Sequence, residues 1–111
     1  MDISSPVPQL KNFLNMISKL EEKEIFSFGH LGDGNIHVNI VSKSKQSELI
    51  AAVYRLLKKF GGSPSAEHGI GQRKKEIWTN FREYQDKYKL LKTLKKSMDA
   101  NNILSPKVFF D

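Results

Sequence analysis

Apolar residues recur at helical spacing in three stretches of this chain and at two-residue spacing in one. From Pro8 onward, Leu10, Phe13, Leu14, Met16, Ile17 and Leu20 form one stripe, which predicts a helix over about 8 to 22 that ends in the charged run 21–24. Pro8 suits its first turn, where a missing amide proton leaves no bond unmade. Leu49, Ile50, Val53, Leu56, Leu57 and Phe60 predict a second amphipathic helix over 46 to 60, capped by Ser44 or Ser47 and stopped by Gly61 and Gly62. Residues 72–78 suit a short helix. A last helix, 82 to 99, carries Tyr84, Tyr88, Leu91, Leu94 and Met98 on a stripe read as core. Lys87, Lys89, Lys92, Lys95 and Lys96 on its other faces read as solvated. Residues 1–7 read as an extended entry and residues 103–110 as an extended tail broken by Pro106.

Alternation replaces the helical period between residues 25 and 41. Two short strands are predicted there, joined at Asp33 and Gly34, because Asp-Gly between alternating apolar residues is a strong signal for a two-residue type I′ hairpin. Counting outward from that turn sets Leu31 opposite Ile36 and His30 opposite His37, with opposed Cβ atoms about 5 Å apart. Ile25, Leu31, Ile36, Val38 and Ile40 then share a core face. His30, His37 and Asn39 share the other with Phe26, Phe28 and Val41. Two imidazoles facing each other on a rigid hairpin suit a metal site or an active site, although surface histidines are common and a longer loop would move the register.

Residues 62–71 contain little apolar surface, three glycines (Gly62, Gly69 and Gly71), Pro64, and the adjacent pair Glu67 and His68. Glycines let a loop stay compact and approach closely. Glu67 supplies the carboxylate that would turn two histidines into a two-His, one-carboxylate set, an arrangement that leaves open positions on a metal. In an extended loop His68 points away from Glu67, so one residue can bind metal while the other moves a proton. Asp33 is the rival carboxylate, but turn chemistry is its simpler role.

Composition narrows the setting. The 111 residues suit one small domain; a net charge of +6 permits anionic partners without selecting one, and the chain has no cysteine for disulfide or thiolate chemistry. Any metal site must therefore use nitrogen and oxygen donors. No stretch approaches a membrane-spanning helix of about 20 apolar residues. The start of the chain resembles neither a secretory signal nor a transit peptide, and the compartment, mitochondrial or cytoplasmic, stays open. Aromatic and basic residues are expected on opposite faces of the last helix, which argues against a nucleic-acid partner.

The two polar motifs, Phe28-Gly-His-Leu-Gly-Asp-Gly-Asn-Ile-His-Val-Asn39 and Ser65-Ala-Glu-His-Gly-Ile-Gly71, resemble the signatures of the FAD-linked oxidase C-terminal domain. This is the substrate domain of flavoproteins such as D-2-hydroxyglutarate dehydrogenase, D-lactate dehydrogenase and the glycolate oxidase D subunit. Residues 1–6 resemble, more loosely, the segment opening the second half of that domain, and residues 98–108 resemble its C-terminal signature. The Ser-Ala-Glu-His-Gly form favours the D-2-hydroxyglutarate and D-lactate branch.

The order of elements predicts an α+β fold, with a small antiparallel sheet and helices packed on one face, and the resemblance implies that this is half of a ferredoxin-like substrate domain. It implies that His30, His37 and Glu67 bind zinc or manganese, that His68 takes the proton of a 2-hydroxy acid, and that Asn39 lies near the substrate. FAD would be bound by a domain missing from residues 1–111. Asp99-Ala100 stands where the family has Asp-Pro, and Ser105-Pro106 where Asn-Pro is common. The expectation is therefore a C-terminal portion of a larger D-2-hydroxy acid dehydrogenase, inactive alone. A protein-interaction module is the alternative, since some relatives are described as actin-interacting and uncovered sheet edges favour self-association.

Overall fold

The computed structural model describes residues 1–21, 24–81, 84–108 and 110. The expectations for the charged run 21–24, the start of the last helix and the end of the tail fall partly outside them. The chain forms two compact units, Met1–Gly69 and Ile70–Asp111. The fold is α+β, with a three-stranded antiparallel sheet in the first unit.

That sheet comprises β1 (Asp2–Ser4), β2 (Ile25–Phe28) and β3 (Asn35–Ile40) in the order β1-β3-β2. The extended entry is thus a strand: Asp2 pairs with His37, Ile3 with Ile36 and Ser4 with Asn35. Ile3, between two polar neighbours, joins Ile25, Ile36 and Val38 in the core. Helix α1 (Leu10–Ser18), entered through a 3-10 turn at Val7–Gln9, contributes Leu10, Phe13 and Ile17. Helix α2 (Gln46–Lys59) contributes Leu49, Val53, Tyr54 and Leu57. Phe13 and Phe60 meet edge to face at 5.9 Å. The predicted helical stripes therefore bury as expected, with α1 ending earlier than its periodicity suggested. At the start of α2 it is Ser42, not Ser44 or Ser47, whose hydroxyl accepts from a backbone N–H, that of Lys45, at 3.3 Å.

The end of α2 returns the chain to the sheet. Gly61 takes φ +69°, its N–H donates to Lys58 O at 3.2 Å, and the Gly62 N–H donates to Leu57 O at 2.9 Å. This is a Schellman closure, which a residue with a Cβ enters only with strain. Ser63 then exchanges two backbone bonds with Ser4, at 3.0 and 2.8 Å, on the outer side of β1.

The hairpin register differs from the two-residue prediction. Phe28, not His30, lies opposite His37, and β2 and β3 are joined through a 3-10 turn at Leu31–Asp33. Of the two intended turn residues only Gly34 has positive φ, +73°, whereas a type I′ turn requires it of both. The Asp33 carboxylate accepts from the Asn35 N–H at 3.3 Å, and the Asn35 N–H also reaches His30 O at 3.2 Å. These bonds stabilise the longer loop. The slip is by an even number of residues, so His37 keeps its face, but Leu31 leaves the sheet and is exposed.

In the second unit, α3 (Lys75–Thr79) precedes α4 (Gln85–Met98). Trp78 stacks on Tyr84 at 5.3 Å and lies 6.0 Å from Tyr88. The stripe read as core is not buried: α4 has no buried residue, Leu91 and Leu94 are exposed, and Met98 is 83% exposed. Among the described residues, Tyr88 near its start meets the aromatic cluster. The expected separation of lysine and aromatic faces also fails, since Lys87 lies over the Tyr84 ring at 5.4 Å and Lys92 over Tyr88 at 5.9 Å. Beyond α4 the tail is a series of turns rather than extended, with positive φ at Asn102, Ser105 and Lys107. The Asp99 carboxylate organises it, accepting from Lys95 Nζ and from the Ile103 and Leu104 N–H groups at 2.9 and 3.0 Å.

Candidate functional site

Within the first unit, the face of the sheet opposite the helices carries His37 and Asn39 on β3, beside Phe26 and Phe28 on β2. Alternation along β3 puts them there, because Ile36 and Val38 are claimed by the core. The His37 ring stacks on Phe28 at 5.3 Å with an interplanar angle of 29°. This contact follows from the observed register and fixes one side of the imidazole.

Glu67 and His68 reach the same place from the loop after Ser63. Glu67 Oε1 lies 3.1 Å from His37 Nε2 and 3.4 Å from His68 Nε2. The two imidazole centroids are 5.4 Å apart. One ligand atom from each of His37, Glu67 and His68 lies within 4.8 Å of the other two, and His30 is outside this group. His30 instead precedes the 3-10 turn, exposed, with φ −91° and ψ 93°. Asn39 is exposed and pairs with Phe26, on the His37 face.

The donor chemistry fits a divalent cation. Ligand atoms about 2.0–2.2 Å from a tetrahedral metal stand about 3.4 Å from one another. The separations of 3.1 and 3.4 Å to Glu67 Oε1 match that spacing, and they are also close enough for direct polar contact. The group is graded in exposure, with side-chain values of 21% for His37, 46% for Glu67 and 66% for His68.

Two residues of this neighbourhood were not singled out from the sequence. Asp2, only 6% exposed, lies opposite His37 and accepts hydrogen bonds from the loop that carries Glu67 and His68. Asn35, one pleat from His37, has its Oδ1 buried with no hydrogen-bond partner among the described residues. Tyr54, on α2, has its phenol pushed above the ordinary tyrosine range by burial and, to a lesser extent, by the charge of Asp2.

Comparison with known proteins is consistent with these motifs. Residues 1–108 match the family model described as FAD linked oxidases, C-terminal domain. A probable mitochondrial D-2-hydroxyglutarate dehydrogenase of Oryza sativa subsp. japonica is 36% identical over 95% of this chain and 20% of its own length. A mitochondrial D-2-hydroxyglutarate dehydrogenase of Danio rerio is 34% identical over 95% of the chain and 21% of its length. A D-2-hydroxyglutarate dehydrogenase of Stutzerimonas stutzeri is 31% identical over 98% and 26%. The chain thus spans about a fifth to a quarter of the length of these relatives.

Proposed function

The chain belongs to the family of FAD linked oxidase C-terminal domains, and on that premise we propose that it is the metal- and substrate-binding portion of a larger flavin-dependent D-2-hydroxy acid dehydrogenase, inactive alone. The observation that carries this reading is the contact of Glu67 with His37 across 30 positions of sequence, with His68 beside both. In this reading His37 and Glu67 would hold the metal with His30 as the third ligand, which would leave the His68 imidazole to accept the proton of the substrate's 2-hydroxyl. Asn39, exposed on the same face, orients the substrate by hydrogen bonding. Zinc or manganese, if held there, would supply Lewis acidity toward a bound 2-hydroxy acid, and FAD in the larger protein would supply the redox chemistry.

A second reading takes His68 rather than His30 as the third ligand. It is favoured by the 3.4 Å separation of His68 Nε2 from the shared Glu67 oxygen. Titration calorimetry of the chain with zinc and with manganese tests both. His37→Ala and Glu67→Ala abolish binding in either reading, and unchanged binding in both variants rejects the site. Loss of affinity in His30→Ala with retention in His68→Ala selects the first reading; the reverse selects the second.

A further inference from the structure

We infer that Asp2 is the positioning residue of this site: its carboxylate is the post around which the loop bearing Glu67 and His68 is wound. The inference rests on the reading of that loop as metal- and substrate-binding. Asp2 Oδ2 accepts from the Ala66 N–H at 3.2 Å and the His68 N–H at 3.0 Å, and Oδ1 accepts from the Glu67 N–H at 3.3 Å. The Ser65 hydroxyl lies 3.1 Å from Oδ2 and 3.0 Å from Gly69 O, and its single proton serves one of them. Three consecutive amides converge on one carboxylate only where the backbone curls around it, as in an anion-binding nest. Here the anion belongs to the protein.

Such a curl turns the side chains of Glu67 and His68 outward. Asp2 is directly opposite His37 in the β1–β3 pair, so outward from Asp2 means toward His37. The loop is thus addressed to the metal face by a residue that is not a ligand. A buried carboxylate without partners is costly, and so are part-buried amides without an acceptor. Each satisfies the other, which holds the loop in one arrangement. Partners behind ligands of this kind typically change metal affinity about 10–100-fold when removed.

The test compares the chain with Asp2→Asn and Asp2→Ala. Three quantities are read: zinc affinity by calorimetry, hydrogen exchange of the 66–68 amides by NMR, and the nuclear Overhauser contact between the His37 and His68 rings. Asp2→Asn keeps the side-chain shape but loses one acceptor oxygen, so it remains folded and carries the test if Asp2→Ala does not fold. The expected result is exchange at residues 66–68 accelerated at least about tenfold, with the Val53 and Val38 amides unchanged, a weakened ring contact, and zinc affinity down about 10–100-fold. Unchanged 66–68 exchange in both variants overturns the inference, as does loosened exchange with wild-type zinc affinity. If the wild-type chain binds neither metal, the metal reading fails, while the exchange and ring-contact measurements still decide whether Asp2 positions the loop.

Discussion

Asp2 and His37 face each other directly across the β1–β3 pair, and their side chains leave the sheet on the same side. One holds the loop through its backbone and the other meets that loop's glutamate, so a three-residue strand at the start of the chain sets where residues 65–68 can lie. The site is built from three segments with no sequence proximity.

The Tyr54 phenol is held above the ordinary tyrosine range, first by burial and second by the Asp2 charge. A pKa raised on folding contributes stability that is complete below the ordinary tyrosine value and is lost as pH rises through the folded value. In spectrophotometric titration, Asp2→Asn is expected to lower the Tyr54 midpoint without returning it to the ordinary range, because burial persists.

Asp99 is displaced the other way. The Lys95 hydrogen bond holds its carboxyl below the ordinary carboxylate range, the backbone bonds from Ile103 and Leu104 add to this, and burial opposes it. A depressed pKa contributes stability that is present above the ordinary carboxylate value and is lost as pH falls through the folded value. Hydrogen exchange followed from neutral to acid pH should therefore show the 99–104 turn loosening in acid, as faster exchange of the Ile103 and Leu104 amides relative to the unstructured rate at each pH. Asp99→Asn should show that fast exchange already at neutral pH, with a flatter pH dependence.

Two glycines with positive φ should respond unequally to alanine. Gly61→Ala meets no neighbouring atom and incurs only the left-handed strain, about 1–2 kcal/mol. Gly34→Ala incurs the same strain and also places its Cβ 2.0 Å from Ser5 O. Urea denaturation is expected to show the larger loss for Gly34→Ala.

Periodicity made the helices over 10–18 and 46–59 legible, because each stripe meets a core that the same sequence supplies. Leu91, Leu94 and Met98 show where the method stops: an apolar stripe states what could be buried, and no element of their own unit, among the described residues, covers it. Alternation placed His37 and Asn39 on the polar face. The expected facing of His30 and His37 does not form, since it depended on a two-residue loop, and the 3-10 turn at Leu31–Asp33 with the Asp33 carboxylate on the Asn35 N–H makes a longer one. The motifs around residues 28–39 and 65–71 pointed to the family by resemblance, before any geometry was known.

Local chemistry alone specified which side chains were available as donors, that most of 10–18 and 46–59 would coil, and that the Gly61-Gly62 pair would close α2, because these follow from neighbours along the chain. Tertiary structure decided that the entry segment is a strand, that Phe28 rather than His30 opposes His37, and that Asp2 gathers the amides of residues 66–68. Those outcomes depend on hydrogen bonds between residues up to 66 positions apart, and no window along the sequence contains both partners.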